Sequence, residues 1–262
     1  MSQALSLLPA VEKINFICYS FLDLTMRFLF YLVLLPALLP VILVLHYVYS
    51  HDKMEREPLN VVIKVFVLGA AFSFIDIPIE RILHVLIYSV YGAESIDYEL
   101  AENFFGVALV EELTKWAVLM IFVWKIQDFD FRYDGIVYAV TASLGFAGME
   151  NILYVLSYGT GVSIGRAIFS IPGHASFGVF MGYFLARAKH WNLKGFSFLQ
   201  FICLLFSIAV PTFIHGLYDF LLSPAAREQN FSAYFLGYVL IIDVLAWRTI
   251  HHEFRTDKRL GD

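Results

Sequence analysis

The stretch "VALVEELTKWAVLM" (residues 107–120) sets Glu111, Glu112 and Lys115 inside an otherwise apolar run. Its reading decides the fold. In a water-soluble helix such a run would be a core face, and three ionisable groups one turn apart would break it. In a membrane helix each such group costs at least about 2.5–3.5 kcal/mol at the bilayer centre, so it marks a site of function by default. The spacing favours the second reading. Glu111 and Lys115 stand at i,i+4, and Glu112 and Lys115 at i,i+3, so one stripe of one helix carries all three.

The rest of the chain agrees. Of 262 residues 60% are hydrophobic and only 16% are charged, whereas soluble domains carry about 25% charged residues. The expectation is an all-α, multi-pass membrane bundle of about seven to eight transmembrane helices in one polytopic domain, residues 27–252. A leader (1–26) would be an interfacial helix or an additional span, and a short tail (253–262) would follow. The leader carries Glu12, Lys13 and Asp23 and no basic–apolar–small pattern, so no cleavable signal is expected. A crossing helix needs about 20 apolar residues. Segments near 27–50, 61–90, 101–125, 135–158, 165–187, 196–222 and 231–250 meet that length, the second with a tilt or break expected at Pro78. Cys18 and Cys203 lie apart in apolar segments and lack metal-knuckle or disulfide spacing.

Orientation follows from the basic residues. Lys53, Arg56, Lys125, Arg132, Arg187, Lys189 and Lys194 fall on alternate loops, and the C-terminus adds Arg248, Arg255, Lys258 and Arg259. Those loops and the C-terminus are expected in the cytoplasm of a cell-membrane protein, and no nucleic-acid partner is expected. The loop at 91–100 carries Glu94, Asp97 and Glu99 and no basic residue, so it belongs outside.

Counting along the spans at 1.5 Å per residue places Glu111, Glu150, His174 and His215 at a common depth, roughly 10–15 Å below the outer surface. They come from four different spans. "HGLYDF" (215–220) puts His215 and Asp219 on one helical face, with Gly216 allowing close approach of a neighbour. "LGFAGMEN" and "SIPGHASFGVFMG" surround Glu150 and His174 with the small residues that tight packing in lipid requires. Two carboxylates and two imidazoles can activate water for attack on an amide, a carboxylate taking the proton and a histidine stabilising the oxyanion. The same groups, Glu111, Glu112, His174 and His215, could instead hold a zinc ion. No HExxH is present, and the metal-free route fits the residues as well. Ser170 and Ser176 flank His174 without a nucleophile signature, and the aspartates Asp76, Asp219 and Asp243 form no paired motif. Asp76, Glu80 and Asp243 are expected to pair with Arg81, Arg248 or backbone near span ends, and Asp134 to be a helix N-cap.

The motifs "EELTK" (111–115), "DGIVYAVTASLGFAGMENILY" (134–154), "RAIFSIPGHASFGVFMGY" (166–183) and "HGLYDF" (215–220), with "HDKMEREP" (51–58) before them, resemble the PrsW-type intramembrane proteases over about residues 40–222. That family is distantly similar to the CAAX-protease and bacteriocin-processing superfamily, whose motifs are EExxxR, FxxxH and HxxxN. The resemblance implies that Glu111 and Glu112 are the paired glutamates, His174 the middle histidine, and His215 with Asp219 the last motif, Asp replacing Asn. Lys115 stands one position before the superfamily's arginine. Lys115, Glu150, Asn151 and Asp219 would line the site. It further implies a membrane-protein substrate, single-span and in the bilayer, such as an anti-sigma factor given its first cut. The superfamily also resembles a non-catalytic scaffold of gamma-secretase. Two alternatives stand beside the protease: an ion-coupled transporter on the same carboxylates, and a non-catalytic membrane scaffold. The transporter would be expected to show inverted repeats, and none is evident.

Overall fold

The computed structural model describes residues 15, 18, 19, 21–28, 31, 34–52, 54–92 and 95–262. Most of the leader 1–26 therefore lies outside the described residues. Among the described residues from 34 onward, seven long helical segments carry the architecture: α1 (Leu35–His51), α2 (Leu59–Tyr91), α3 (Ile96–Ala101, Glu102–Ala108 and Leu109–Phe122 in one continuous run), α4 (Arg132–Tyr158), α5 (Gly161–Leu193), α6 (Ser197–Leu222) and α7 (Phe231–Arg255). Strand pairing among the described residues is limited to one isolated bridge, Phe131 with Arg259.

Five of these, α2, α4, α5, α6 and α7, are long and apolar enough to cross a membrane. α1 is apolar and has 17 residues among those described. α2 runs through Pro78 without interruption, so the break expected there does not occur. Proline removes a single ladder bond, and the apolar helix around it continues. The outward faces carry Ile63, Val67, Ile82 and Val85 on α2 and Phe198, Phe201 and Phe213 on α6, all exposed. The charged groups Glu111, Glu112 and Lys115 are buried. Apolar outside and polar inside is the distribution expected of a bundle solvated by lipid.

α4 is the central helix, buried along most of its length between α2 and α5. Lipid supplies no hydrophobic drive for helices to associate, so close backbone contact does that work. A methyl group at Gly145 would overlap the Phe66 carbonyl oxygen of α2, and one at Gly182 of α5 would overlap the Gly135 carbonyl oxygen of α4. Around these contacts Tyr133, Ile136, Val140 and Leu144 pack with Ile171 and Val179.

At the end of α4 that carries its N-terminus, Asp134 is not the N-cap. The helix begins at Arg132, and the Asp134 carboxylate reaches back to accept from the backbone N–H groups of Asp130 (2.9 Å) and Phe131 (2.6 Å). The tail folds onto the same place: Leu260 N–H donates to Asp130 O, His190 Nδ1 meets Leu260 O at 2.8 Å, and Arg259 pairs with Asp130 at 2.7 Å.

Candidate active site

Two helices bend their registers just before their functional residues. α3 has a π-helical stretch at Glu102–Ala108 that leads directly into Leu109–Phe122, the segment with Glu111, Glu112 and Lys115. α5 has another at Arg166–Ser170, leading into the segment with His174. Pro172 gives the second a physical cause, because it has no N–H to return to the carbonyl of Ile168. Such widened turns recur at functional sites, where they re-aim side chains.

The groups placed at one depth by the sequence meet. Lys115 Nζ lies 3.0 Å from Glu111 Oε2, 2.8 Å from Glu112 Oε1 and 3.1 Å from His174 Nδ1. Glu112 Oε1 also lies 2.9 Å from His215 Nδ1, and His215 Nε2 lies 3.2 Å from Asp219 Oδ2. His174 Nε2 meets Glu150 Oε2 at 3.1 Å, and Arg166 Nη2 meets that same oxygen at 2.7 Å. Ammonium can only donate, so His174 Nδ1 accepts from Lys115 and its proton sits on Nε2, directed at Glu150. Both nitrogens of His215 face carboxylate oxygens, the arrangement of a ring that donates at both ends. The two rings are 5.4 Å apart, and His215 stacks on Phe177 at 4.7 Å. Gly216 brings α6 against α3: a Cβ there would be 2.7 Å from Phe104 Cδ1.

A cavity of about 1080 Å³ opens beside this network. Glu111, Glu150, His174, His215 and Asp219 line it; Glu112, Lys115 and Asn151 stand behind its wall. Asn151 is a tether, donating to Ala37 O of α1 at 2.8 Å and accepting from Arg166 Nε at 3.0 Å. The cavity reaches Glu99, Asn103, Gly165, Ser223 and Arg227, at the end of the bundle where α2 turns into α3, α4 into α5 and α6 into α7.

Three further cavity residues escape sequence reasoning. Arg166, the first residue of the motif that carries His174, pairs with Glu150 and stacks over Tyr154 at 4.1 Å. Asp76 and Glu80 line the cavity from α2 instead of pairing with Arg81. Asp76 accepts from Thr114 Oγ1 at 2.5 Å, and its second oxygen is buried with no partner among the described residues. Their i,i+4 spacing inside an apolar span was the available signal. Asp243 takes a hydrogen bond from Ser176 at 2.9 Å rather than pairing with Arg248.

Carboxylates, imidazoles and a water-accessible cavity held within a membrane-embedded helical bundle define a polytopic membrane protein with a polar intramembrane chamber. Residues 57–245 match a family described as PrsW family intramembrane metalloprotease. The chain is 39% identical over 191 residues to Protease PrsW of Oceanobacillus iheyensis, an alignment covering 72% of this chain and 82% of that protein. It is 39% identical over 198 residues to Protease PrsW of Geobacillus kaustophilus, covering 75% of this chain and 82% of that protein. It is 36% identical over 203 residues to Protease PrsW of Bacillus subtilis, covering 78% of this chain and 87% of that protein. No solved structure matches it. The chain belongs to the PrsW family of intramembrane proteases, which bears out the resemblance read from its motifs.

The family description names a metal, and the donor set can be tested against it. Glu111, Glu112 and His174 bring one donor atom each to within 4.8 Å of one another, and oxygen and imidazole donors are zinc ligands by type. The point they converge on already holds a cation, Lys115 Nζ, within hydrogen-bond distance of all three residues. Zinc binds such atoms at about 2.0–2.2 Å, which would press it against the ammonium. With Lys115 in this position the set does not fit a divalent ion.

Proposed function

We propose that this chain is an intramembrane endopeptidase in which Glu111 is the general base and Glu112 its internal brace. The observation that carries the assignment is their unequal placement. Glu111 lines the cavity, whereas Glu112 is fully buried between Lys115 and His215. Glu111 takes a proton from water as the water oxygen attacks the scissile carbonyl carbon, then delivers it to the departing amide nitrogen as the C–N bond breaks. His215 Nε2–H, shared with half-exposed Asp219, is a donor that a developing oxyanion can recruit. His174 bridges Lys115 and Glu150 on the cavity wall and, on releasing Glu150, turns its Nε2–H to the attacking water.

The topology follows from charge. Basic loops and the C-terminus are cytoplasmic, α1 and α3 complete a bundle of seven crossings, and the cavity opens on the opposite, extracytoplasmic side. The substrate is a single-span membrane protein cut at or near its extracytoplasmic juxtamembrane segment, a class that includes anti-sigma factors. The test is cleavage of a single-span substrate by the protein in proteoliposomes. Glu111→Gln should abolish it with the protein still folded. Retained activity in that variant, or ion flux through liposomes in place of cleavage, overturns the reading.

A further inference from the structure

Lys115 is fully buried, on the same helix as the glutamates it binds and one turn after them. An ammonium has three N–H donors, and Glu111 Oε2, Glu112 Oε1 and His174 Nδ1 are three acceptors placed to take them. The Phe146 ring, 4.4 Å from Nζ, closes another side with the negative face of its π-system. The coordination is complete, and the donors are those that would otherwise converge on a metal ion. The side chain is buried along its whole length inside the bundle.

We propose that Lys115 is a tethered cation that stands where a divalent ion would in this chain: its single charge offsets one of the two glutamate charges, fixes the tautomer of His174, and keeps metal out. Two adjacent carboxylates in a low-dielectric site need a nearby positive charge to stay close together. In a zinc site the ion supplies that charge. Here a covalently attached group supplies it, and no metal need be acquired. An imidazole on zinc usually directs its other nitrogen to a carboxylate, and His174 has that arrangement with Glu150 while its inner nitrogen faces the lysine. The proposal concerns what fills the site and does not depend on which bond the protein cleaves.

Metal binding by the whole protein in detergent tests it, separately from any cleavage assay. Wild type and Lys115→Ala would each be incubated with zinc, passed through gel filtration and analysed for metal, and each titrated with cobalt(II) while its visible d–d bands are recorded. Wild type should retain no stoichiometric zinc and keep its thermal stability in chelator. Lys115→Ala should take up one ion per chain, bind cobalt at least about a hundredfold more tightly than wild type because the like charge is gone, and gain thermal stability on zinc addition. If Lys115→Ala is unfolded without metal, zinc during solubilisation should restore a monodisperse protein. One zinc per wild-type chain surviving gel filtration overturns the proposal, as does a folded Lys115→Ala that binds neither ion, or an unfolded one that zinc does not recover. Loss of cleavage in Glu111→Gln with zinc-free wild type would leave both readings standing; cleavage by Glu111→Gln would remove the protease assignment and leave the metal result intact.

Discussion

His215 Nδ1 of α6 lies 2.9 Å from Glu112 Oε1 of α3, joining residues 103 positions apart in the chain. The oxygen it meets is also the one bonded by Lys115 Nζ. A single carboxylate oxygen therefore collects two donors at the centre of the bundle, while the other oxygen of Glu112 is buried without a partner among the described residues. Glu112 is thus a structural hub, and Glu111, buried but lining the cavity, is the one of the pair that we propose reacts.

The two glutamates should separate experimentally. Glu111→Gln should lower cleavage by about 10²–10⁴-fold, the range of a lost general base, with little change in thermal unfolding. Glu112→Gln should also lose activity but unfold more easily, by about 3–5 kcal/mol, because it leaves Lys115 and His215 without their shared anion. Unfolding curves in detergent beside cleavage rates decide it; equal stability loss in both variants would contradict the division of labour.

Arg166 holds Glu150 and Asn151 through one planar head group. Lysine cannot reproduce that fork. Arg166→Lys should reduce cleavage about tenfold or more, the loss of the charge-assisted Nε–H bond to Asn151 being worth roughly 1.5–3 kcal/mol. The readout is the rate of cleavage at saturating substrate, and unchanged turnover would show that Glu150 needs no anchor.

Packing between α4 and α2 rests on Gly145, where a methyl group would overlap the Phe66 carbonyl oxygen. Gly145→Ala should destabilise the protein by about 1–3 kcal/mol through forced backbone displacement. Thermal unfolding measures it. The same substitution at Gly237, which meets nothing nearby, should be silent by comparison.

Glu57, in the turn between α1 and α2, accepts the Tyr138 hydroxyl and sits near Asp52 and Asp134. Burial, reinforced by Asp134, pushes its carboxyl from 4.5 up to about 10. A carboxyl with a raised folded-state pKa stabilises the fold while protonated in both states, and that contribution is lost as pH rises from about 4.5 towards 10. Thermal stability should fall between pH 5 and pH 9, about the window set by this shift, and Glu57→Gln should flatten the decline. An identical slope in the variant would assign the effect to other groups.

The apolar spans, the charged stripe of Glu111, Glu112 and Lys115, and the His215–Asp219 pair were all legible in the chain, because helical periodicity and the cost of charge in lipid act locally. The meeting of Glu111, Glu150, His174 and His215 followed from counting rise along each span, a one-dimensional argument that a straight helix permits. Other features were beyond reach of that logic. Asn151 looked like a lining residue and is a tether to Ala37, because which side of α4 faces the cavity depends on its neighbours. Asp76 and Glu80 looked like span-end pairs and line the chamber. Arg166 enters the site through a widened turn that its motif does not announce.

By itself the sequence determined the helical membrane class, the family and the residue types of the site, since these depend on composition, spacing and motif order. Only the tertiary structure decided which glutamate faces the cavity and that a lysine ammonium stands where the donors converge. Both are distances between atoms on different helices or on opposite sides of one, and glycine contacts and π-helical turns set them by rotating each helix about its own axis.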